Sequence, residues 1–484
     1  MLKIRPESQF INGKEIVSER AVKIYNPANV KECVGEMSLG SVEDVNTAVV
    51  AAELAWEKWA QTSAKERGEL LKKIAEFMES DHAAFAELLV RENGRVLSEL
   101  TFDILGGANV LRYYSSLVEE VDKEEIIENH QGKMILTRQP TGVTSIIVPW
   151  NSPVYLTCLM LGPALMAGNT VVIKPSTYSP LALTKILKGA AKLLPVGVLN
   201  IVLGSGATVG EAMVSHPKVR KVTFTGSTEV GTGIIRSSAN TIKNVSMELG
   251  GNDAAIILKD ADINDRLINE LIKGVFIGCG QICYGVKRIY VQHEKYNEFV
   301  ERFVQAASSY KVGPGLDPQS TMGPVNNESQ YKMVQQLISE AEENGATVTT
   351  VGEFVEGLNP ADGYFILPTI VTNVKQDDPI VQSEQFGPVI PILPFDSEEE
   401  AISMANDTEF GLGNSVWTND VERGFKIARK LQSGSVFVNI HRVGASAVNM
   451  PFGGFKQSGI GRGHGVEALY EQMELQALIH RTDL

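Results

Sequence analysis

The sequence predicts an α/β protein, and three observations carry that prediction. From about residue 143, short apolar β-rich strands alternate with helical stretches, the texture of a parallel sheet covered by helices. A second stretch with the same alternation follows, from about 253 to 450. The chain has 484 residues, 43% hydrophobic and 21% charged, which suits a soluble globular protein of about three domains.

The part before residue 143 reads as helical. In "SVEDVNTAVVAAELAWEKWA", Ser41 is the N-cap and Asp44 stands at the third helical position, an aspartate version of the capping box. "SAKERGELLKKIAEFMESDHAAFAELLVRENG" keeps helical apolar spacing to Gly94, a fitting C-cap. The alternation then begins: strand "GVTSIIVPW" and helix "LTCLMLGPALMAG", strand "NTVVIKPS" and helix "SPLALTKILKGAAKL", strand "GVLNIVLG" and helix "ATVGEAMVSHP". Strand "KVTFTGS", helix "TEVGTGIIRSSA" and strand "NVSMELGG" complete it. Ligands bind beyond the carboxyl ends of such strands, so "PWN", "KPST", "GSG", "TGS" and "ELGG" belong on one rim. The second stretch holds the strands "KRIYV" and "GSVFVN" and helices near 261–275, 294–309 and 325–345. "GKMILTRQPTG" and "YEQMELQALIH" look extended but have no partner nearby in sequence, a pattern of strands that pair with another subunit.

Composition excludes several functions. A net charge of -14 argues against a nucleic-acid or anionic-membrane binder. There is no apolar signal core at the N-terminus, and the longest apolar run, Cys158–Ile173, is broken by Pro163, Gly168 and Asn169, so a membrane span is not expected. Four cysteines make no disulfide scaffold and fit a reducing, cytoplasmic setting. Cys279 and Cys283 in "GCGQICYG" lack the companion ligands that structural zinc needs, so no metal is expected.

Five further signals are modest alone. Gly204–Gly210 resembles a dinucleotide fingerprint misspaced by one residue, with Phe224 where the ribose acid belongs, or is a plain strand-to-helix turn. "TFTGSTEVG" is a glycine-flanked strand-to-helix turn whose N–H groups suit phosphate, or simply a capped helix. Lys174 is a lysine on the ligand rim, or a snorkelling surface lysine. Glu248 in "SMELGG" is a desolvated carboxylate suited to base work, or one paired in a salt bridge. Asn151 in "PWNSP" can donate to an oxyanion, or serve a turn.

Together with "VVIKPS", "MELGG", "GQIC", "SEQFGPV", "NDTEFGL", "GSVFVN" and "PFGGFKQSGIGR", these stretches resemble an NAD(P)-dependent aldehyde dehydrogenase of the hydrolytic type, in order and spacing over essentially the whole chain. The resemblance implies two doubly wound α/β domains plus a small β oligomerisation flap. Residues 1–120 and 141–250 would form the dinucleotide-binding domain, 251–450 the catalytic domain, and 121–140 and 466–484 the oligomerisation strands of a homodimer or homotetramer. It implies that Cys283 is the nucleophile, Glu248 the general base and Asn151 the oxyanion donor. It puts the cofactor against Trp150, Lys174, Thr177, Gly206, Gly210, Phe224, Gly226, Ser227, Gly231, Leu249, Glu384 and Phe386. Tyr155, Met160, Ile282, Tyr284 and the loop "HRVGASAVN" would line the substrate tunnel, which suits an aromatic or medium aliphatic aldehyde. The alternative is a semialdehyde whose carboxylate meets Arg442. A coenzyme A-acylating relative would lack the glutamate, and a non-enzymatic relative would lack the thiol or base, yet Glu248 and Cys283 are both present.

Three departures from the family pattern stand out. Gly278 replaces a common asparagine, and Asn252 a common lysine. Thr177 stands where NAD-preferring members carry glutamate, which predicts use of NADP, since threonine does not repel the 2′-phosphate.

Overall fold

The computed structural model describes residues 6–482. Its first sheet has eight strands, in the order 14–16, 9–11, 199–201, 170–174, 143–147, 221–225, 244–248 and 459–460. The five from 199–201 to 244–248 are mutually parallel. Their chain order across the sheet is third, second, first, fourth, fifth, so direction reverses between Val143–Ile147 and Lys221–Thr225. Side-chain alternation builds two cores on the two faces. Val171 and Ile173 enter one with the helices Ala64–Ser80, Leu97–Ser115 and Pro153–Ala167. Val172 enters the other with Val42–Trp59 and Thr228–Ala239. All three are fully buried, each worth about 1.5–3 kcal/mol relative to exposure.

The second sheet has seven strands, in the order 347–350, 369–372, 389–395, 286–292, 253–257, 413–417 and 435–438, all parallel except the first. The helices Asp265–Phe276, Tyr296–Ala307 and Glu328–Glu343 lie where expected and close its core.

Three expectations need correction. The chain opens with four strands between Gln9 and Ser38, not with helix. The run from Ser63 to Gly94 is two helices, Ala64–Ser80 and His82–Asn93, broken at Asp81 (φ −111°, ψ 12°). Around the break, Ser80 Oγ bonds the Phe77 carbonyl (2.9 Å) and His82 Nδ1 meets the Glu79 carbonyl (2.7 Å), so short polar side chains compete with the backbone ladder. The two extended segments do have a partner: each other. Met473–Arg481 pairs antiparallel with Gly132–Pro140, and Glu125–Asn129 completes a three-stranded sheet. Both capping predictions hold: Ser41 and Asp44 make the reciprocal box, and Gly94 caps in the left-handed region (φ 96°).

Among the described residues no helix is long and apolar enough to cross a membrane, and no group of three or more His, Cys, Asp or Glu is placed to hold a metal ion.

Candidate active site

Parallel pairing puts the five predicted turns on one rim, and the point of strand reversal sets "PWN" beside "TGS". The thiol loop arrives from the other sheet, just before the strand Val286–Gln292. Gly278 (φ 61°), Cys279 (φ 59°) and Gly280 (φ 73°) turn it through consecutive left-handed conformations. Cys279 bears a strain of roughly 1–2 kcal/mol there and turns its side chain into the second core.

Several side chains hold the loop. Gln281 Nε2 donates to the Gly278 carbonyl (2.9 Å), and the buried Lys287 Nζ donates to the Gly280 carbonyl (2.6 Å). Asn151 Nδ2 donates to the Gln281 carbonyl (2.9 Å). This last bond joins the two sheets at the point where the sequence puts its donor and its thiol.

Two cavities meet there. One, of about 960 Å³, is lined by Tyr155, Leu156, Leu159, Met160, Glu248, Ile282, Tyr284 and Phe452, among others. The second, of about 690 Å³, is lined by Trp150, Gly226, Ser227, Leu249, Gly250, Glu384 and Phe386, among others. Asn151, Thr225 and Cys283 line both.

Burial dominates the electrostatics. Desolvation pushes Glu248 up to about 8, opposed by the Gly463 amide and Arg462, and its Oε2 meets no hydrogen-bonding group of the protein. Desolvation likewise pushes Glu384 up to about 7; Lys287 and the Gly251 N–H, which donates to Glu384 Oε1 (3.1 Å), oppose it. Cys283 is pushed up to about 12 by desolvation, then by Glu384, Glu248 and Asp253. Lys174, buried beneath the rim, is pushed down to about 8 by desolvation. Its Nζ donates to the carbonyls of Pro175 (3.1 Å) and Gly204 (3.3 Å).

The residues present fit a dinucleotide. A Cβ at Gly231 would sit 2.6 Å from Leu249 Cδ2, and one at Gly226 would overlap the Phe224 ring, so a side chain at either position must displace its neighbour. Phe224 therefore floors the turn and is not in the cavity lining. Trp150 stands edge-on to Phe386 (5.6 Å, 87°) as one wall, and Ser227 Oγ caps the next helix at Val230 N (3.4 Å). The misspaced fingerprint has a structural reason. Gly206–Gly210 is a π turn, with the Gly210 N–H on the Ser205 carbonyl (3.2 Å), and such a turn absorbs one extra residue. Gly210 then faces the Lys174 side chain, whose Cε would lie 3.8 Å from an added Cβ. Thr177 is half-buried in the turn after Lys174, and Gly206 is open to solvent; neither lines the two cavities.

Tyr155, Met160, Ile282 and Tyr284 line the larger cavity as expected. Arg442 does not: its Nε pairs with Glu270 Oε2 at 2.6 Å. From "HRVGASAVN" only Val443 reaches the lining, because His441 is fully buried between the Tyr284 carbonyl (3.0 Å) and Ser415 Oγ (2.9 Å). Sequence reasoning missed Leu156 and Leu159, one and two helical turns on from Ser152, and His464. His464 stacks on Phe452 (5.1 Å, 23°) with desolvation pushing it down to about 4, so it is neutral. Its flanks in "GRGHG" give no signal.

The comparisons with known proteins agree with this geometry. The family model described as "Aldehyde dehydrogenase family" matches residues 15–478. Betaine aldehyde dehydrogenase of Bacillus subtilis (strain 168) is 36% identical over 485 residues, covering 98% of each chain. A crystal structure of betaine aldehyde dehydrogenase from Staphylococcus aureus in complex with NAD+ superposes with a TM-score of 0.93 at 33% identity, over 99% of this chain and 95% of that one. An E. coli NADP dependent enzyme matches with a TM-score of 0.92 at 34% identity, over 98% of each. With the thiol, the amide donor and the carboxylate brought to one junction by two doubly wound sheets, a match of this extent has one meaning: the chain belongs to the aldehyde dehydrogenase family and is an oxidoreductase acting on aldehydes.

Proposed function

We propose that this enzyme oxidises an aldehyde to its carboxylic acid through Cys283, Asn151 and Glu248. The observation that carries the reading is that Cys283 and Asn151 line both cavities, so an aldehyde entering one side and a nicotinamide entering the other meet at the thiol. Cys283 Sγ, as the thiolate, attacks the carbonyl carbon, and the carbonyl π pair moves onto oxygen. Asn151 Nδ2 keeps one N–H beyond its bond to Gln281, and with the Cys283 N–H it holds that oxyanion. When bound, the nicotinamide accepts the hydride expelled as the oxyanion collapses. A thioester on Cys283 remains. Glu248, lining the aldehyde side, takes a proton from water as the water attacks the thioester. The acid leaves and the thiol is restored.

The substrate in this reading is an aromatic or medium aliphatic aldehyde. The lining by Tyr155, Leu156, Leu159, Ile282, Tyr284 and Phe452 supports it, and so does the engagement of Arg442 with Glu270. Turnover of benzaldehyde, hexanal and succinic semialdehyde tests it; a preference for the semialdehyde overturns it.

The cofactor side is NAD(P), and NADP use is the finer proposal. Thr177 carries no charge to repel a 2′-phosphate, Lys174 lies three residues before it, and one similar structure is of an NADP dependent enzyme. Measured kcat/KM for both cofactors decides it; an NAD preference above about tenfold overturns it, since that exceeds about 1.4 kcal/mol of discrimination.

The assembly proposed is a homodimer or homotetramer built on the three-stranded sheet, within domain limits of 121–140 and 466–484 for these strands. Ile126, Ile127, Leu475, Leu478 and Ile479 are exposed on it, an apolar surface of the kind that a second copy covers. A cytoplasmic setting accords with four free cysteines.

A further inference from the structure

Asn151 and Cys283 come from different sheets, and the amide of one must be placed, to within a fraction of an ångström, at hydrogen-bond distance from the oxygen bound to the other. What fixes that relation lies outside both loops, in the segment 93–99, of which the sequence singles out only the helix cap Gly94. Arg95 is 4% exposed in its side chain and Glu99 15%, and Arg95 Nε donates to Glu99 Oε2 at 2.9 Å. Arg95 Nη1 donates to the Asn151 carbonyl (2.8 Å) and to Ser152 Oγ (3.0 Å). Glu99 Oε1 accepts from the Gly278 N–H (3.1 Å). One buried ion pair thus grips the donor loop with its cation and the thiol loop with its carboxylate.

A second bridge runs beside it. Asn93 Nδ2 donates to the Trp150 carbonyl (2.7 Å), and Asn326 Nδ2 donates to the Asn93 carbonyl (3.1 Å). The Asn326 N–H in turn donates to Gln281 Oε1 (2.9 Å). Both bridges leave the same seven-residue segment and end on the same two loops. The identity of residue 278 belongs to this arrangement. Gly278 has φ 61°, and a Cβ there would lie 3.1 Å from Arg95 Nε, so the guanidinium occupies the space that a side chain at 278 would need. The departure noted in the sequence, glycine in place of asparagine, is matched by the arginine packed against it.

We infer that Arg95 and Glu99 are positioning residues that act as one clamp, setting Asn151 relative to the Cys283 loop and so the fit of the oxyanion. The inference rests on the roles proposed for Asn151 and Cys283. Misplacement by about 1 Å at a reacting centre costs on the order of 10²-fold in rate, which sets the scale.

The test uses Glu99→Gln, Arg95→Met, the double variant and Arg95→Lys in the full-length enzyme. Glu99→Gln keeps size and buries no new charge, so it guards against a fold that merely fails. The readouts are aldehyde kcat, KM for the cofactor, thermal midpoint, and the rate at which iodoacetamide alkylates Cys283. Alkylation forms no oxyanion, so it separates alignment from collapse of the loop. Expected are a fall of about 10–10² in kcat for each single variant and a loss in the double no larger than about twice the worse single, as for residues acting as one unit. Cofactor KM and alkylation stay within about threefold, and Arg95→Lys recovers part of the activity because one ammonium still reaches the Asn151 carbonyl. Single variants within about threefold of the parent, losses that multiply in the double, or alkylation that falls with turnover each overturn the clamp. Cys283→Ser is the separate control: if it keeps activity, the catalytic reading fails, whatever the clamp variants do.

Discussion

Replacing Glu248 by glutamine separates the two halves of the reaction. Glutamine keeps the shape and an oxygen for the Gly463 amide but cannot take a proton. Burial pushes Glu248 up to about 8. Such a base is about one-tenth ionised near pH 7 and about nine-tenths near pH 9, so a hydrolysis-limited rate rises roughly tenfold across that span. The sign follows from the role: the ionised form works, so activity climbs with pH through the folded-state value. In Glu248→Gln the climb disappears and steady-state turnover falls by about 10²–10⁴. Thiol attack and hydride loss do not use this carboxylate, so the first turnover survives as a burst of reduced cofactor of about one per active site. The thiol changes too. Glu248 is one of three carboxylates that push Cys283 up towards 12, and its removal moves the midpoint of iodoacetamide alkylation to lower pH. Stopped-flow absorbance of reduced cofactor, with acid-quenched protein examined by mass for the trapped thioester, reads both halves. The reasoning fails if Glu248→Gln keeps the pH climb, or loses the burst together with steady-state turnover.

Asn151→Ala removes the side-chain oxyanion donor, and kcat/KM for aldehyde falls by about 10²–10³ with cofactor KM unchanged; a loss below about fivefold contradicts the role. Thr177→Glu lowers kcat/KM for NADP by more than about tenfold relative to NAD, because a carboxylate faces the 2′-phosphate; equal kinetics for both cofactors argue that Thr177 lies away from it. Cys279→Ala keeps activity within about twofold and costs about 1–2 kcal/mol in urea unfolding, since the residue only fills the second core. In peroxide-treated protein, mass spectrometry finds Cys283 as sulfenic or higher acid, and a disulfide between residues 279 and 283 contradicts this placement. Leu478→Asp with Ile479→Asp charges the exposed strand and yields monomers by light scattering; an unchanged mass means that the subunits join elsewhere.

Legibility in the sequence follows the range of the interactions involved. The alternating strands and helices after residue 143 rest on local apolar periodicity, and all appear where expected, as does the rim that their parallel pairing creates. Cys283, Glu248 and Asn151 stand out in the sequence because each sits in a short motif beside a strand. What escaped depends on contacts far apart in the chain. Pairing of 132–140 with 473–481 spans over three hundred residues, so each strand looked orphaned alone. The Arg95–Glu99 pair was invisible for the same reason: in sequence it is an ordinary i,i+4 pair, and only the fold shows that its other contacts lie at Asn151 and Gly278. Arg442 stays open in the sequence between a substrate carboxylate and a paired surface role, because a guanidinium in a loop says nothing about Glu270, a hundred and seventy-two residues away. One local signal was overlooked: Asn12-Gly13, with φ of 50° and 75°, is the turn of a two-strand hairpin.

The raised thiol and the raised base have one cause. Withdrawing water from the junction is what makes Glu248 a base near neutral pH, and the same withdrawal disfavours a thiolate at Cys283. Glu384 and Asp253 add to the penalty: Glu384 holds the Gly251 amide, and Asp253 opens the strand Asp253–Ile257 beside the central strand of the second sheet. The opposing group is Lys287, tethered to the Gly280 carbonyl; desolvation pushes it down, and Glu384, then Asp253, then Cys283 hold it up. The two carboxylates nearest the chemistry lie on opposite sides of the thiol, Glu248 in the larger cavity and Glu384 in the smaller. A ligand entering either cavity therefore changes the thiol's surroundings from that side alone. Burial and these carboxylates all favour the protonated sulfur over the thiolate, and the thiol is the form less open to oxidation.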